Sequence, residues 1–149
     1  MKLLLVSSSG GHLNHLMRIK KVWDRYDRVW VTFDKPDAVS ALKNENIYFG
    51  YFPTNRNILN LIRNLFLAIK ILFSEKPDVV MSTGAGIAVP FFYVAKLMKI
   101  KTVYIEVIDR VDKPTLTGRL VEHMTDLFIV QWPEMQNVYK KSVYIGRIY

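Results

Sequence analysis

Two turns built from very small residues, and a few acid–base side chains near them, hold the chemistry open to this chain. The first turn, Ser7-Ser8-Ser9-Gly10-Gly11-His12, follows the apolar run Lys2–Val6 and leads into a helical pattern. A strand-to-helix junction leaves backbone N–H groups unpaired at the helix start. Together with the positive end of the helix dipole they favour a phosphate or diphosphate. Gly10 and Gly11 let the backbone come close to an anion, and His12 can take or give a proton near neutral pH. The second turn, Ser82-Thr83-Gly84-Ala85-Gly86, sits before an apolar helix that starts near Ile87. It is not a Walker loop, because no Gly-Lys-Ser/Thr follows, and it lacks the spacing of a dinucleotide fingerprint. For both turns, diphosphate contact and simple close packing of strand against helix stay open. Glu106, Asp109, Arg110 and Asp112 come directly after the run Thr102–Ile105. Carboxylates at the carboxyl end of a strand can accept a hydroxyl proton or hold a sugar. A solvated loop is the plain alternative, least apt for Glu106, which abuts the strand. His12 and Glu106 are thus the candidate catalytic residues. Ser9, Gly10, Gly11, Thr83, Gly84, Ala85 and Gly86 are the candidate diphosphate-binding residues.

These turns need a scaffold, and the hydrophobic pattern supplies one. Strand-like runs lie at Lys2–Val6, Arg28–Thr32, Ile47–Tyr51, Val79–Ser82, Thr102–Ile105, Leu127–Val130 and Ser142–Ile145. Helical patterns lie between them at His12–Trp23, Pro36–Lys43, Asn57–Ser74, Ile87–Met98 and about Leu116–His123. Most strands are continuous apolar runs rather than alternating ones, as expected when helices cover both sheet faces. The fold class is therefore α/β, a doubly wound, mostly parallel, Rossmann-like sheet, in one domain over residues 1–149. Ligands in such folds bind beyond the carboxyl ends of the strands, at a switch point, so the loops after the strands are where chemistry is expected. Asp34, after the second strand, reads as a helix cap.

Composition removes several classes. Half of the 149 residues are hydrophobic and 13% are aromatic, which excludes a disordered chain. With no cysteine there is no disulfide scaffold and no thiolate metal site, and the three histidines are too scattered for a zinc site. No metal is expected. The apolar start is too short for a signal peptide. A net charge of +8 suits nucleic acid, anionic lipid or phosphorylated substrates. The basic residues are spread singly among hydrophobes and no nucleic-acid motif occurs, so nucleic acid is not expected as a partner.

The segment Asn57–Ser74 has an unusual wheel. At about 100° per residue, Arg56, Asn60, Arg63, Lys70 and Ser74 form one narrow polar stripe, and Ile58, Leu59, Leu61, Ile62, Leu65, Phe66, Ile69, Leu72 and Phe73 fill an arc of roughly 180° or more. That apolar arc is wider than a sheet-covering helix needs. Either the helix is deeply buried, or its surplus meets a partner subunit or a bilayer headgroup region. It is too charged and slightly too short for a comfortable span. Arg56, Arg63, Phe66, Lys70 and Phe73 are the residues expected to dock on a membrane or partner, with Lys96, Lys99 and Lys101 extending the basic rim. Trp132, after the sixth strand, is a candidate partner contact or a packing residue.

Taken in order, Ser7–His12, Ser82–Gly86, Tyr104-Ile105-Glu106, Leu116-Thr117-Gly118 and Asp126–Trp132 resemble bacterial capsular and exopolysaccharide glycosyltransferase subunits. The set is similar to the membrane-anchoring subunit of the N-acetylglucosaminyltransferase of dolichol-linked oligosaccharide assembly. More distantly it is similar to the N-terminal half of the peptidoglycan lipid-intermediate N-acetylglucosaminyltransferase. The resemblance implies the N-terminal half of a split GT-B enzyme. This chain would hold an undecaprenyl-diphosphate-linked sugar acceptor, while a separate subunit binds the UDP-sugar donor, with no cofactor and no metal. It also implies a heterodimer, peripheral on the cytoplasmic face of the membrane, with His12 or Glu106 as base in an inverting transfer. Two departures stand: the glycine turn is poorer than in fused relatives, and the N-terminal transmembrane helix of the eukaryotic subunit has no counterpart here. A non-catalytic adaptor that only anchors and stabilises the partner is the rival reading. A nicotinamide-dependent oxidoreductase, with Asp34 as the ribose-binding acid, is a remote third.

Overall fold

A computed structural model describes residues 1–149. Seven strands form one sheet: β1 (Lys2–Val6), β2 (Asp27–Phe33), β3 (Ile47–Gly50), β4 (Val79–Ser82), β5 (Lys101–Ile105), β6 (Leu127–Val130) and β7 (Ser142–Tyr144). Their order is β3-β2-β1-β4-β5-β6-β7, and every pairing is parallel. The chain winds outward from β1 to β3, crosses back to place β4 beside β1, and winds outward the other way. The switch point therefore lies between β1 and β4.

Alternation along each strand assigns the two faces. Leu3 and Leu5 of β1 pack with α1 (Gly11–Arg18), α2 (Lys20–Trp23) and α3 (Pro36–Ala41). Leu4 and Val6 pack with α4 (Ile58–Glu75), α5 (Ala88–Leu97) and α6 (Leu116–Val121). Both faces are covered, which is why the strands read as unbroken apolar runs.

Two elements differ from the sequence pattern. The first helix breaks at Ile19 (φ −94°, ψ 27°), because the buried Trp23 indole donates to the Leu16 carbonyl at 2.7 Å and takes up an acceptor the helix would have used. A 3₁₀ turn at Pro133–Asn137, which has no periodic signal, joins β6 to β7.

The amino ends of the strands are tied to the end of α4. Lys2 Nζ donates to Glu75 Oε2 at 2.6 Å, and the Tyr48 hydroxyl donates to Glu75 Oε1 at 2.5 Å. The Lys2 ammonium and the Tyr48 hydroxyl hold the Glu75 carboxyl below its ordinary 4.5, and Glu75 in turn holds Lys2 above 10.5. A depressed carboxylate stabilises fully above its unfolded value and loses that contribution as the pH falls; a raised lysine loses its contribution only at alkaline pH. Glu75→Gln should therefore cost about 1–2 kcal/mol at neutral pH. In urea titrations, its difference from the unaltered chain should shrink as the pH drops below 4.5.

Candidate functional site

The two small-residue turns meet at the switch point through a reciprocal pair of hydrogen bonds. The His12 ring Nδ1 lies 2.8 Å from the Thr83 carbonyl, and Thr83 Oγ1 donates to the His12 carbonyl at 2.7 Å. A carbonyl only accepts, so Nδ1 carries the proton and Nε2 keeps a free lone pair. Gly84 makes the approach possible. At φ +117°, a Cβ there would stand 2.8 Å from His12 Cε1.

Beside this clasp lies a polar cavity of about 440 Å³, lined by Ser8, His12, Phe33, Phe52, Pro53, Thr54, Asn55, Ala85, Gly86, Arg110, Thr115 and Thr117. An apolar groove of about 750 Å³ adjoins it, walled by Thr54–Ile58, Leu61, Gly86, Val89, Leu116, Thr117 and Leu120. Thr54, Asn55, Gly86 and Thr117 belong to both. The main-chain amides of Ala85, Gly86 and Ile87, at the start of α5, make no hydrogen bond within the protein. Of these residues Ala85 and Gly86 line the polar cavity, as does Arg110, whose Nε stands 3.9 Å from Asp109 Oδ2.

Of the expected diphosphate ligands, Ala85 and Gly86 line the cavity. Thr83 and Gly84 are fully buried behind it, Thr83 clasping His12 and Gly84 donating its amide to Ser82 Oγ at 3.0 Å. Ser9, Gly10 and Gly11 line neither cavity, and the expectation is corrected at Gly10, whose amide is already donated to Asp37 Oδ2 at 2.7 Å. A carboxylate occupies the place expected for an anion.

Glu106 is corrected as well, for it does not face the cavity. It is fully buried, accepts from the Tyr139 hydroxyl at 2.6 Å and from Thr115 Oγ1 at 3.0 Å, and meets the Val107 amide at 3.1 Å. Burial and the adjacent carboxylate push the Tyr139 phenol far up, so it stays protonated and donates. Glu106 instead holds Thr115, which caps α6 by accepting from the Gly118 amide at 2.9 Å. Through Thr115 it shapes one wall of the polar cavity. No three His, Asp or Glu side chains converge as metal ligands.

On α4, Phe66 and Phe73 are 67% and 62% exposed, and Ile58, Leu59, Ile62 and Ile69 are exposed on the same side. Arg63 and Lys70 edge this face, and Arg56 stands at the groove. Leu97, Leu116 and Leu120 extend the apolar surface onto α5 and α6. The surplus apolar arc thus lies outside the core, whereas Asn60 of the supposed polar stripe is buried, as is Asn64. No helix is long and apolar enough to cross a membrane. Trp132 is half-buried; its indole donates to the Ile108 carbonyl at 2.7 Å and the Arg147 guanidinium lies 4.4 Å above its ring. The residues missed from sequence lie mainly on the loop after β3, Phe52–Asn57. Its place at a strand's carboxyl end was the available signal.

Residues 49–148, two-thirds of the chain, match the family described as "Oligosaccharide biosynthesis protein Alg14 like". The chain belongs to the Alg14-like family. The human protein named UDP-N-acetylglucosamine transferase subunit ALG14 is 29% identical, covering 99% of this chain and 83% of that protein. Its counterpart in Debaryomyces hansenii is also 29% identical, over 97% and 75%. Among solved structures, MurG of Acinetobacter baumannii superposes with a TM-score of 0.80 at 16% identity, over 96% of this chain and 45% of MurG. A UDP-GlcNAc 2-epimerase from Methanocaldococcus jannaschii gives 0.77 at 17% identity, over 99% and 46%. The Alg14-like chain spans under half the length of both structures and has the fold of the N-terminal half of GT-B glycosyltransferases.

Gly118 tests the buried network. A Cβ there would fall onto the Tyr139 hydroxyl and lie 2.8 Å from Glu106 Oε2. Gly118→Ala should destabilise the chain by about 2–3 kcal/mol despite the better helix propensity of alanine, read from chemical denaturation.

Proposed function

We propose that this chain is the acceptor-binding, membrane-docking subunit of a two-chain UDP-N-acetylglucosamine transferase, with the donor held by a separate catalytic subunit. The activity named for its relatives and the GT-B half-fold support the two-chain form. One observation carries the acceptor assignment: a polar cavity lined by Arg110, Ala85 and Gly86 shares walls with an apolar groove lined by Ile58 and Leu61 of the exposed apolar helix. An anionic head on an apolar tail, emerging from a bilayer, matches that sequence of surfaces. The finer reading is an undecaprenyl-diphosphate-linked sugar in capsular or exopolysaccharide assembly, met peripherally at the cytoplasmic face.

In this reading the diphosphate lies against the Ala85, Gly86 and Ile87 amides and Arg110. Phe66 and Phe73 enter the lipid, with Arg56, Arg63 and Lys70 near headgroup phosphates. His12 Nε2 takes the proton of the acceptor hydroxyl as its oxygen attacks the anomeric carbon; the bond from that carbon to the UDP oxygen breaks and UDP leaves. Trp132, with Arg147 stacked on it, contacts the donor subunit.

The first test measures transfer from UDP-N-acetylglucosamine to a lipid-diphosphate-linked sugar with both chains and with each alone. Both chains should be required, and His12→Ala should lower kcat about a hundredfold or more while the complex still assembles. Unchanged kcat would leave an adaptor that anchors and stabilises its partner. Separately, Phe66→Glu combined with Phe73→Glu should weaken sedimentation with anionic vesicles by more than about tenfold, since two phenylalanines leave the apolar phase.

A further inference from the structure

The loop after β3 walls both cavities, with Phe52 and Pro53 on the polar side and Thr54 and Asn55 common to the two. Nothing in the sheet holds its backbone. No main-chain group of Tyr51–Asn55 bonds to another main-chain group. The hydrogen bonds that reach this stretch come from the side chains of α4. Asn64 is fully buried and pairs with Tyr51 twice, accepting from its amide and donating to its carbonyl, both at 2.9 Å. Asn60 Nδ2 donates to the Pro53 carbonyl at 2.9 Å, its own oxygen being held by Arg63 Nη1 at 3.3 Å. Gly50 keeps the approach open, since a Cβ there would fall onto Ile87 and lie 3.2 Å from Asn64 Oδ1.

A helix that turns asparagines inward and phenylalanines outward reverses the usual order, and buried amides are costly unless bonded. Neither asparagine lines a cavity. From this we infer that Asn64 and Asn60 are positioning residues for the acceptor: they clamp the Tyr51–Asn55 loop to α4 and so set the shared wall where head group and apolar chain part. The inference rests on the acceptor-binding reading above. It makes the helix face proposed to meet the bilayer and the cavity wall one rigid piece.

The test uses the full chain in complex with its donor-binding partner. Asn64→Leu, of the same branched shape though larger, removes both bonds to Tyr51; Asn60→Ala, in the first turn of the helix, removes the bond to Pro53. Exchange of the Tyr51 amide, the one loop amide that is hydrogen-bonded, should quicken at least tenfold in Asn64→Leu and at least threefold in Asn60→Ala, whose loop opens more often, with sheet amides unchanged. KM for a polyprenyl-diphosphate-linked sugar should rise at least fivefold, with kcat within a factor of two. KM for UDP-N-acetylglucosamine and sedimentation with vesicles should stay as in the unaltered complex. Asn64→Asp, which keeps the acceptor for the Tyr51 amide and loses the donor, should fall short of Asn64→Leu in loop exchange if it folds. Unchanged loop exchange, or quickened exchange with an unchanged acceptor KM, overturns the inference. If Asn64→Leu does not fold, Asn60→Ala decides by the same two readouts. Failure of the underlying reading looks different: the unaltered complex itself would show no saturable dependence on the acceptor.

Discussion

Two hydrogen bonds running in opposite directions between His12 and Thr83 hold the centre of this molecule together. They join the loop after β1 to the loop after β4, the two strands between which the winding reverses. In a parallel sheet every such loop leaves the same edge, and at a switch point adjacent loops diverge and open a crevice. The clasp bridges that crevice at its base. It engages Nδ1 as a donor, which makes Nε2 the acceptor nitrogen of the neutral ring. Gly84 permits the approach because its backbone takes a positive φ and no side chain intervenes. Ser82 Oγ then occupies the Gly84 amide, so the free donors shift one step onward to the start of α5.

Around the clasp, polar groups are buried only where each has a partner. Glu106 has no cation beside it; hydrogen bonds from Tyr139, Thr115 and the Val107 amide offset the loss of water. Removing one of these partners would expose a buried carboxylate to an apolar surrounding, which is why the network constrains α6 so tightly. Gly118 has no room for a methyl group for the same reason. A residue that looks from its position like an acid–base catalyst is thereby an organiser of the wall that Thr115 and Thr117 present to the cavity.

The long helix α4 follows a different logic. Its inner face carries Asn60, Asn64, Ala68, Ile71 and Leu72, and its outer face carries most of its large apolar side chains. Ala68, Ile71 and Leu72 pack on the sheet face, while Asn60 and Asn64 bond to the loop after β3. The outer face then presents Phe66 and Phe73 to the surroundings, edged by Arg63 and Lys70. Apolar surface of this extent on one side, rimmed by cations, is what the proposed docking on a bilayer requires.

Fold class was legible from residue order, because unbroken apolar runs separated by helical periods admit few arrangements other than a doubly wound parallel sheet. The small-residue turns, His12 at the first helix start, and the surplus apolar arc of α4 were legible too, since each is a local property of spacing and type. Whether Glu106 meets solvent was not, because its burial depends on Tyr139, 33 residues away, folding over it. Nor was the loss of the Gly10 amide to Asp37, 27 residues on, or the turning of Asn60 inward to Pro53. A helical wheel ranks residues by polarity and cannot know that a loop backbone without sheet partners waits on the inner side. Local chemistry along the chain decided which groups were available to act; long-range hydrogen bonding decided which of them stayed free to do so, because a buried polar group must satisfy itself before it can serve a ligand.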